Sequence, residues 1–550
     1  MLDRTLGQRA PLLWVVLPWI MGLVLGRLVV ASPSGWWVGG CGVMALMCAV
    51  AALRLNPGGV GWLGMGFSLM LSAFVLYTVT RARLASWEAL PPREVRVELE
   101  WERLFPPGDD PRKLSGLGIV RRAAPPVSEL VGQRFYVSAR LGRRDHRPVR
   151  SSVTEVVGRL ERLPKSPSVT TFDGYLVGAG MNFKLTQARV LRVTREATAY
   201  RRWCERMQEK LGRILGFGLQ AHPSLEGVFK AMVLGQQQEL SEVQDTWFTH
   251  TGTLHLFSIS GMHIGVIAIA LRGLLAACRL HRGCIFVILG TLLWLYVDIT
   301  GRAPSALRAF LMVMVIEVAL VGRLPRSTVA AWVASAWLVL VFDPMQLFSA
   351  SFQMSYGIVG ALLLLGLPLG ETWGQAWAPF RSLPAVSWTA WHRALAGSVA
   401  LSCNTLALGL STALVSALTG VLYFGLLTPG ALVANLVAIP LASLAILAGL
   451  ASLVSGLAGG IWLSLVFNHG AALVLWIVER LLAWFSELPG VHREAAFASP
   501  AVGFAALAGL FALLLGGFHV GWSRRYGGFW PPFVYTATVL IVLVSYPELP

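Results

Sequence analysis

Glu94-Val95-Arg96-Val97-Glu98-Leu99-Glu100-Trp101 places every apolar side chain on one face and every charged one on the other. That period of two is the signature of a half-buried β-strand. Its surroundings are of another kind. The 550-residue chain is 55% hydrophobic and 13% charged, with a mean hydropathy of +0.64. An ordinary soluble domain carries about 25% charged residues, and disorder requires low hydrophobicity. A wholly soluble chain and a disordered one are both excluded. The strand therefore belongs to a soluble island in a membrane protein.

The limits of the island follow from charge. Residues 81–210 hold 26 Lys+Arg and 15 Asp+Glu, while the other 420 residues hold only 19 and 13. Further short strand patterns occur at Arg134-Phe135-Tyr136-Val137, Val153-Thr154-Glu155-Val156-Val157 and Arg189-Val190-Leu191-Arg192-Val193. Turns such as Pro106-Pro107-Gly108 and Ala124-Pro125-Pro126 separate them. About five strands suit a small OB-fold-like barrel, with a sandwich as the alternative. Thr198 to Leu215 follows as an amphipathic, Arg-rich helix, read as interfacial, and Leu225–Gln236 as a second helical stretch.

The rest is apolar. Spans are expected at about 11–31, 36–53 and 59–80, and eleven more after residue 255, among them 397–418, 420–439 and 441–458. The length of the first argues against a cleavable signal peptide. The expected fold is a polytopic α-helical membrane protein of about 11–14 spans with an inserted β-barrel. Its parts are N-terminal membrane helices (1–83), the β domain (84–195), connecting helices (196–236) and a membrane domain (237–550). With Arg4, Arg9 and Arg54 inside, the β domain lies outside, and Arg279, Arg282, Arg323 and Arg326 fall inside. Arg81, Arg83, Arg524 and Arg525 fit that topology poorly.

A net charge of +17 calls for an acidic partner, lipid head groups or nucleic acid, or reflects positive-inside bias. The bias does not account for the net +11 carried by residues 81–210 if that window lies outside. The six cysteines form no CxxC pair, no His/Asp cluster has metal-ligand spacing, and no Gly-Lys phosphate loop is present. No metal or cofactor is expected.

Polar residues within apolar runs mark function by default. The densest set is His255-Leu256-Phe257-Ser258-Ile259-Ser260-Gly261-Met262-His263. It reads as a hydrophilic pore lining, as helix packing through small residues, or as a Ser260/His263 catalytic pair, for which the one-turn spacing is poor and no orienting group is evident. The second set, Asp298 to Arg308, breaks a helix at Gly301 and Pro304 and carries Arg302, Ser305 and Arg308. The arginines suit phosphates; the alternative is internal pairing of Asp298 or Glu317 with Arg308. The third set holds Ser351, Gln353 and Ser355, and the last holds Thr428-Pro429-Gly430 and Asn435, with Pro440 closing the span.

These sets, in this order, resemble the ComEC competence family, the inner-membrane DNA channel of natural transformation. The similar stretches are Ala231 to Ile267, Thr300 to Met312, Asp343 to Gly357 and Phe424 to Pro440; Phe172-Asp173-Gly174-Tyr175-Leu176 and Gly180-Met181 are similar to the family's OB-fold domain. The resemblance implies conduction of single-stranded DNA across the inner (cytoplasmic) membrane, with a periplasmic DNA receptor and a cytoplasmic helicase-like ATPase as partners, besides membrane lipids. Longer members carry a metallo-β-lactamase-like domain. The chain is expected to be a short form without it, so no enzymatic activity is carried over. The disulfide of some family OB-folds is absent. On this reading His255, Ser258, Ser260, Gly261, His263, Asp298, Arg302, Ser305, Arg308, Ser351, Gln353, Ser355 and Asn435 are candidates for the DNA path. Arg134, Tyr136, Arg143, Arg144, Arg147, Phe172 and Tyr175 are candidates for strand binding on the barrel, with Trp101, Phe105 and Phe135 as further stacking candidates; for each single aromatic, a place in the barrel core is the favoured alternative. The competing functions are transport or flipping of an anionic lipid or polysaccharide intermediate, and intramembrane hydrolysis.

Overall fold

The computed structural model describes residues 10–29, 35–54, 59–82, 93–105, 110, 112–142, 147–164, 167–257, 259–324 and 327–546. Three apolar helices open the chain: α1 (Leu13–Leu28), α2 (Gly35–Arg54) and α3 (Gly59–Ala82). Glycine lets two of them approach closely, since a Cβ at Gly22 would lie 2.0 Å from the Met70 carbonyl oxygen.

The alternating segment becomes the first strand of a closed barrel. Its strands are β1 (Arg93–Phe105), β2 (Lys113–Ala123), β3 (Arg134–Arg140), β4 (Val153–Arg162) and, after the short helix α4 (Phe172–Gly178), β5 (Phe183–Arg195). The order around the barrel is β1-β2-β3-β5-β4, closing from β4 to β1, with β3 and β5 parallel and every other pair antiparallel. Val95, Val97, Leu99 and Trp101 all point into the core, as a period of two demands. There the Trp101 indole donates to Thr154 Oγ1 at 2.9 Å. β2 was not legible from its alternation because glycines at 116 and 118 interrupt it. They are needed for closure: a Cβ at Gly118 would lie 2.5 Å from Leu99 Cγ.

Beyond the barrel, α5 (Ala199–Gly216) buries Cys204, Leu211 and Leu215 against protein, and α6 (Pro223–Leu234) is buried along most of its length. α7 (Glu242–His250) leads to the membrane helices α8 (Gly261–Ala277), α9 (Arg282–Ile299), α10 (Pro304–Val321) and α11 (Thr328–Phe342). α12 (Ala350–Ala361) runs through a π-helical turn at Leu362–Gly366 into α13 (Leu367–Ala376). Then come α14 (Ala390–Phe424), α15 (Ala431–Leu457), α16 (Ile461–Ser486), α17 (Pro500–His519) and α18 (Pro531–Val542). Among the described residues, eight helices are long and apolar enough to cross a membrane, and four more apolar helices are shorter. The protein is a polytopic helical membrane protein with an inserted barrel.

One stretch differs from the sequence reading. Spans expected at 397–418, 420–439 and 441–458 are two long helices, α14 and α15. The chain turns at Gly425, which takes φ +65°, and Pro440 lies inside α15 instead of closing a span. In a membrane bundle, neighbouring helices and local adjustment re-satisfy the backbone that an internal proline frees.

The helices form two apolar cores. One gathers α5, α6, α8, α9, α15 and α16; the other gathers α1, α3, α11, α12, α14, α17 and α18. α10 is the seam, giving Ala306 to the first core and Met312 to the flank of the second.

Candidate functional site: a collar of helix N-termini beneath the barrel

The four polar sets share one structural property: each sits at a helix start. Ser260 precedes α8. The Gly301–Arg302 turn, with φ +90° and +57°, precedes α10. Ser349 caps α12 by accepting from Phe352 N–H at 3.2 Å, and Thr428-Pro429-Gly430 precedes α15. Side chains hold these starts together. Ser305 Oγ donates to the Ile259 carbonyl at 2.6 Å, joining α10 to α8. Arg308 Nη2 donates to both the carbonyl and Oγ of Ser351 at 2.8 Å, joining α10 to α12 across the seam. The turn before α8 touches α15, since a Cβ at Gly252 would lie 2.7 Å from that of Ala431. Gly261 faces Ala309, and Asn435 lies one turn into α15. Each helix start carries roughly half a positive charge, so the collar favours anions before any side chain is counted.

Arg308 adds a full charge. It is 4% exposed, and its Nε has no hydrogen-bond partner among the described residues. The expected internal pairs do not form. Glu317 binds Arg272, and Asp298 binds Arg150 and Arg201, so neither carboxylate neutralises Arg308. α9 and α10 run in opposite directions, which puts Asp298 beside the barrel and Glu317 far down α10. Arg302 lies over the Trp294 ring at 5.1 Å. Gln353 donates to the Leu347 carbonyl at 3.0 Å and accepts from Tyr423 at 2.8 Å. Ser355 sits one turn below Ser351, and His255 Nδ1 lies 3.1 Å from the Gly252 carbonyl oxygen. Ser258, Arg143 and Arg144 lie outside the described residues.

The barrel is fixed over this collar at two points. Asp298, whose side chain is 1% exposed, accepts from Arg150 Nη1 of the barrel at 3.2 Å and from the Tyr200 hydroxyl of α5 at 2.9 Å, and forms an ion pair with Arg201 Nη1 of α5 at 2.7 Å. Burial, with the Asp298 carboxylate beside it, raises the Tyr200 hydroxyl pKa well above its usual range. The second point is Arg134, 3.7 Å from Asp343 and 3.0 Å from Glu102. Nearby, Gly180 of the barrel packs on Met345. Asp298 opens the second polar set, and Asp343 lies six residues before Ser349 of the third. Sequence reading put Asp298 on the DNA path and assigned no role to Asp343, Arg150, Tyr200 or Arg201. An aspartate closing an apolar helix was the available signal.

On the barrel, the aromatic candidates divide. Trp101 and Phe135 are fully buried core. The other four form a continuous surface ladder: Phe105 to Tyr136 at 6.2 Å, Tyr136 to Phe172 at 4.9 Å, and Phe172 to Tyr175 at 5.9 Å with near-parallel rings. Phe172 is 49% exposed and Tyr175 37%. Arg103 lies over the Phe105 ring at 5.4 Å, and Arg147 donates to the Phe105 carbonyl at 2.9 Å. Phe172 and Tyr175 belong to α4, in the β4–β5 connection.

Ser260 and His263 do meet: the Ser260 N–H donates to His263 Nδ1 at 3.2 Å, and Oγ lies 2.9 Å from the same nitrogen. The same arrangement recurs at Thr389 and His392, at 3.1 and 3.0 Å, capping α14 far from the collar motifs. The pair is therefore a helix cap with histidine in the place usually taken by Glu or Gln.

The collar motifs all fall within residues 232–518, the segment matched by the family model described as "Competence protein". The chain belongs to the competence protein family. ComE operon protein 3 of Bacillus subtilis (strain 168) is 33% identical over 145 residues, 26% of this chain and 18% of that protein. Competence protein ComA of Neisseria gonorrhoeae is 30% identical over 151 residues, 25% of this chain and 21% of that protein. Uncharacterized protein YcaI of Escherichia coli (strain K12) is 26% identical over 282 residues, 48% of this chain and 34% of that protein. The alignments with the two named competence proteins thus span about a fifth of those relatives' own length. No solved structure matches the chain.

Proposed function

We propose that this competence-family protein conducts DNA, as a single strand, across the cytoplasmic membrane during uptake for transformation. The observation that carries the reading is Arg308: a buried guanidinium with no carboxylate partner among the described residues, which ties the start of α10 to that of α12. A buried membrane charge is costly and marks an ion or substrate path. Here helix dipoles and arginine have one sign, which suits the phosphates of a passing strand. The barrel sits over the collar from the outer side. Its aromatic ladder stacks successive bases irrespective of sequence, and its basic surface attracts the backbone. No catalytic role is assigned to Ser260 or His263. A DNA receptor outside and a helicase-like ATPase inside would deliver and pull the strand.

The test is transformation frequency together with cytoplasmic entry of labelled DNA in a deletion strain. The reading requires that duplex still binds outside while entry is lost. Normal transformation in the deletion strain would sink it. Ser260→Ala adds a discriminating arm: a hydrolase would lose all activity, whereas a conduit keeps most of it.

A further inference from the structure

The opposite end of the membrane body carries a cavity that neither the collar nor the barrel uses. α8 ends at Ala277 and the chain turns into α9 at Arg282; beside this turn α10 ends at Val321. Between them lies a cavity of about 560 Å³ lined by His281, Arg282, Ala319, Leu320, Arg323 and Leu324. α9 and α10 are each 18 residues long, so the cavity lies about 27 Å from the collar, close to the thickness of a bilayer's hydrocarbon core. It therefore faces the other membrane interface.

Among the described residues of the three helices that meet here, its cations have no counter-charge to spare. α8 carries no acidic residue. The acidic residues of α9 and α10 are Asp298, held at the barrel, and Glu317, taken by Arg272. His281 Nδ1 is engaged as a cap, accepting from Gly283 N–H at 3.2 Å, which leaves Arg282 and Arg323, among the described lining residues, as charges with no ion pair. Arg323 takes φ +54°, and Arg279 at the neighbouring helix end takes φ +56°. Glycine adopts that conformation without strain, yet both ends carry arginine. The ends of the three helices also carry exposed apolar side chains: Leu274 of α8, Val287 of α9, and Val318 and Val321 of α10. A strand conducted through the body would not emerge onto such a surface, but acyl chains cover it.

We propose that this cavity binds the headgroup of an anionic phospholipid, its phosphate against Arg282 and Arg323 and its acyl chains over Leu324 and Val318. Basic pockets between membrane helices at this level suit such headgroups. The proposal is independent of the conduction reading.

The test is native mass spectrometry of the full chain, comparing phosphatidylglycerol with phosphatidylcholine. Wild type is expected to retain phosphatidylglycerol preferentially. The double variant Arg282→Gln/Arg323→Gln should bind it about 30-fold more weakly, which is about 2 kcal/mol for two charges. Arg282→Lys/Arg323→Lys should recover most of the affinity, which separates loss of charge from misfolding. Equal retention by wild type and the Gln variant would overturn the proposal. Displacement by millimolar inorganic phosphate, or by an oligothymidylate, would also overturn it, making the cavity a free-phosphate or a nucleic-acid site respectively.

Discussion

Replacing Asp298 by alanine tests whether the barrel is riveted to the membrane body. The carboxylate is 1% exposed, accepts hydrogen bonds from Arg150 and Tyr200 and pairs with the Arg201 guanidinium. Removing one partner of a buried ion pair costs about 3–5 kcal/mol, mainly because the remaining charge is left uncompensated. Here two guanidiniums are left, but their side chains keep 18% and 17% exposure and can rehydrate. Arg150 also keeps its 3.0 Å bond from Nε to the Glu102 carbonyl. The low end of the range therefore applies, about 3 kcal/mol, or roughly a hundredfold in the docking equilibrium. Hydrogen exchange on protein in nanodiscs reads this directly. Amides of Ser151, Ser152 and the first turn of α5 should exchange about a hundredfold faster in Asp298→Ala, with Asp298→Asn intermediate. Arg96→Gln, on a barrel ion pair away from the docking point, serves as the control and should leave those amides unchanged. A change of less than about threefold in Asp298→Ala would refute the idea that this cluster holds the barrel in place.

Three other outcomes follow from the geometry. Phe172→Ala or Tyr175→Ala should weaken single-strand binding by about 1–3 kcal/mol each, without lowering thermal stability, in titrations at fixed salt; Trp101→Ala should instead unfold the barrel. Arg308→Met should leave thermal stability unchanged or raise it by about 1 kcal/mol, since a buried unpaired charge is removed, while transformation frequency falls by at least about tenfold. Glu155 bridges Arg96 and Arg192, and those guanidiniums hold its carboxyl below the usual range. Its stabilising contribution is therefore complete above the unfolded carboxyl pKa of about 4.5 and fades as pH falls through the lower folded value. Melting curves of Glu155→Gln and wild type should differ at neutral pH and converge at the acid end.

The collar illustrates what patterning can and cannot convey. Ser260, Arg308, Ser351 and Asn435 stood out in the sequence because polar side chains are rare and costly in apolar runs. That cost is a local property, visible one residue at a time. Whether they share a site depends on which helix ends meet, and nothing in the local pattern carries that. Asp298 shows the same limit: its expense in a membrane helix was evident, but its partner Arg150 lies 148 residues earlier in another domain.

The sequence by itself determined the membrane class, an inserted β domain and the four polar sets, since hydropathy, charge density and period-two alternation are properties of consecutive residues; closure into a barrel came from the tertiary structure. Tertiary structure alone decided the rest. It turned three expected spans into two helices, sorted Trp101 and Phe135 into the core and Phe172 and Tyr175 onto a ladder, and left Arg308 unpaired by sending Asp298 to the barrel. The physical reason is that burial and charge pairing are set by neighbours in space, and in a chain that crosses a membrane many times those neighbours are distant in sequence.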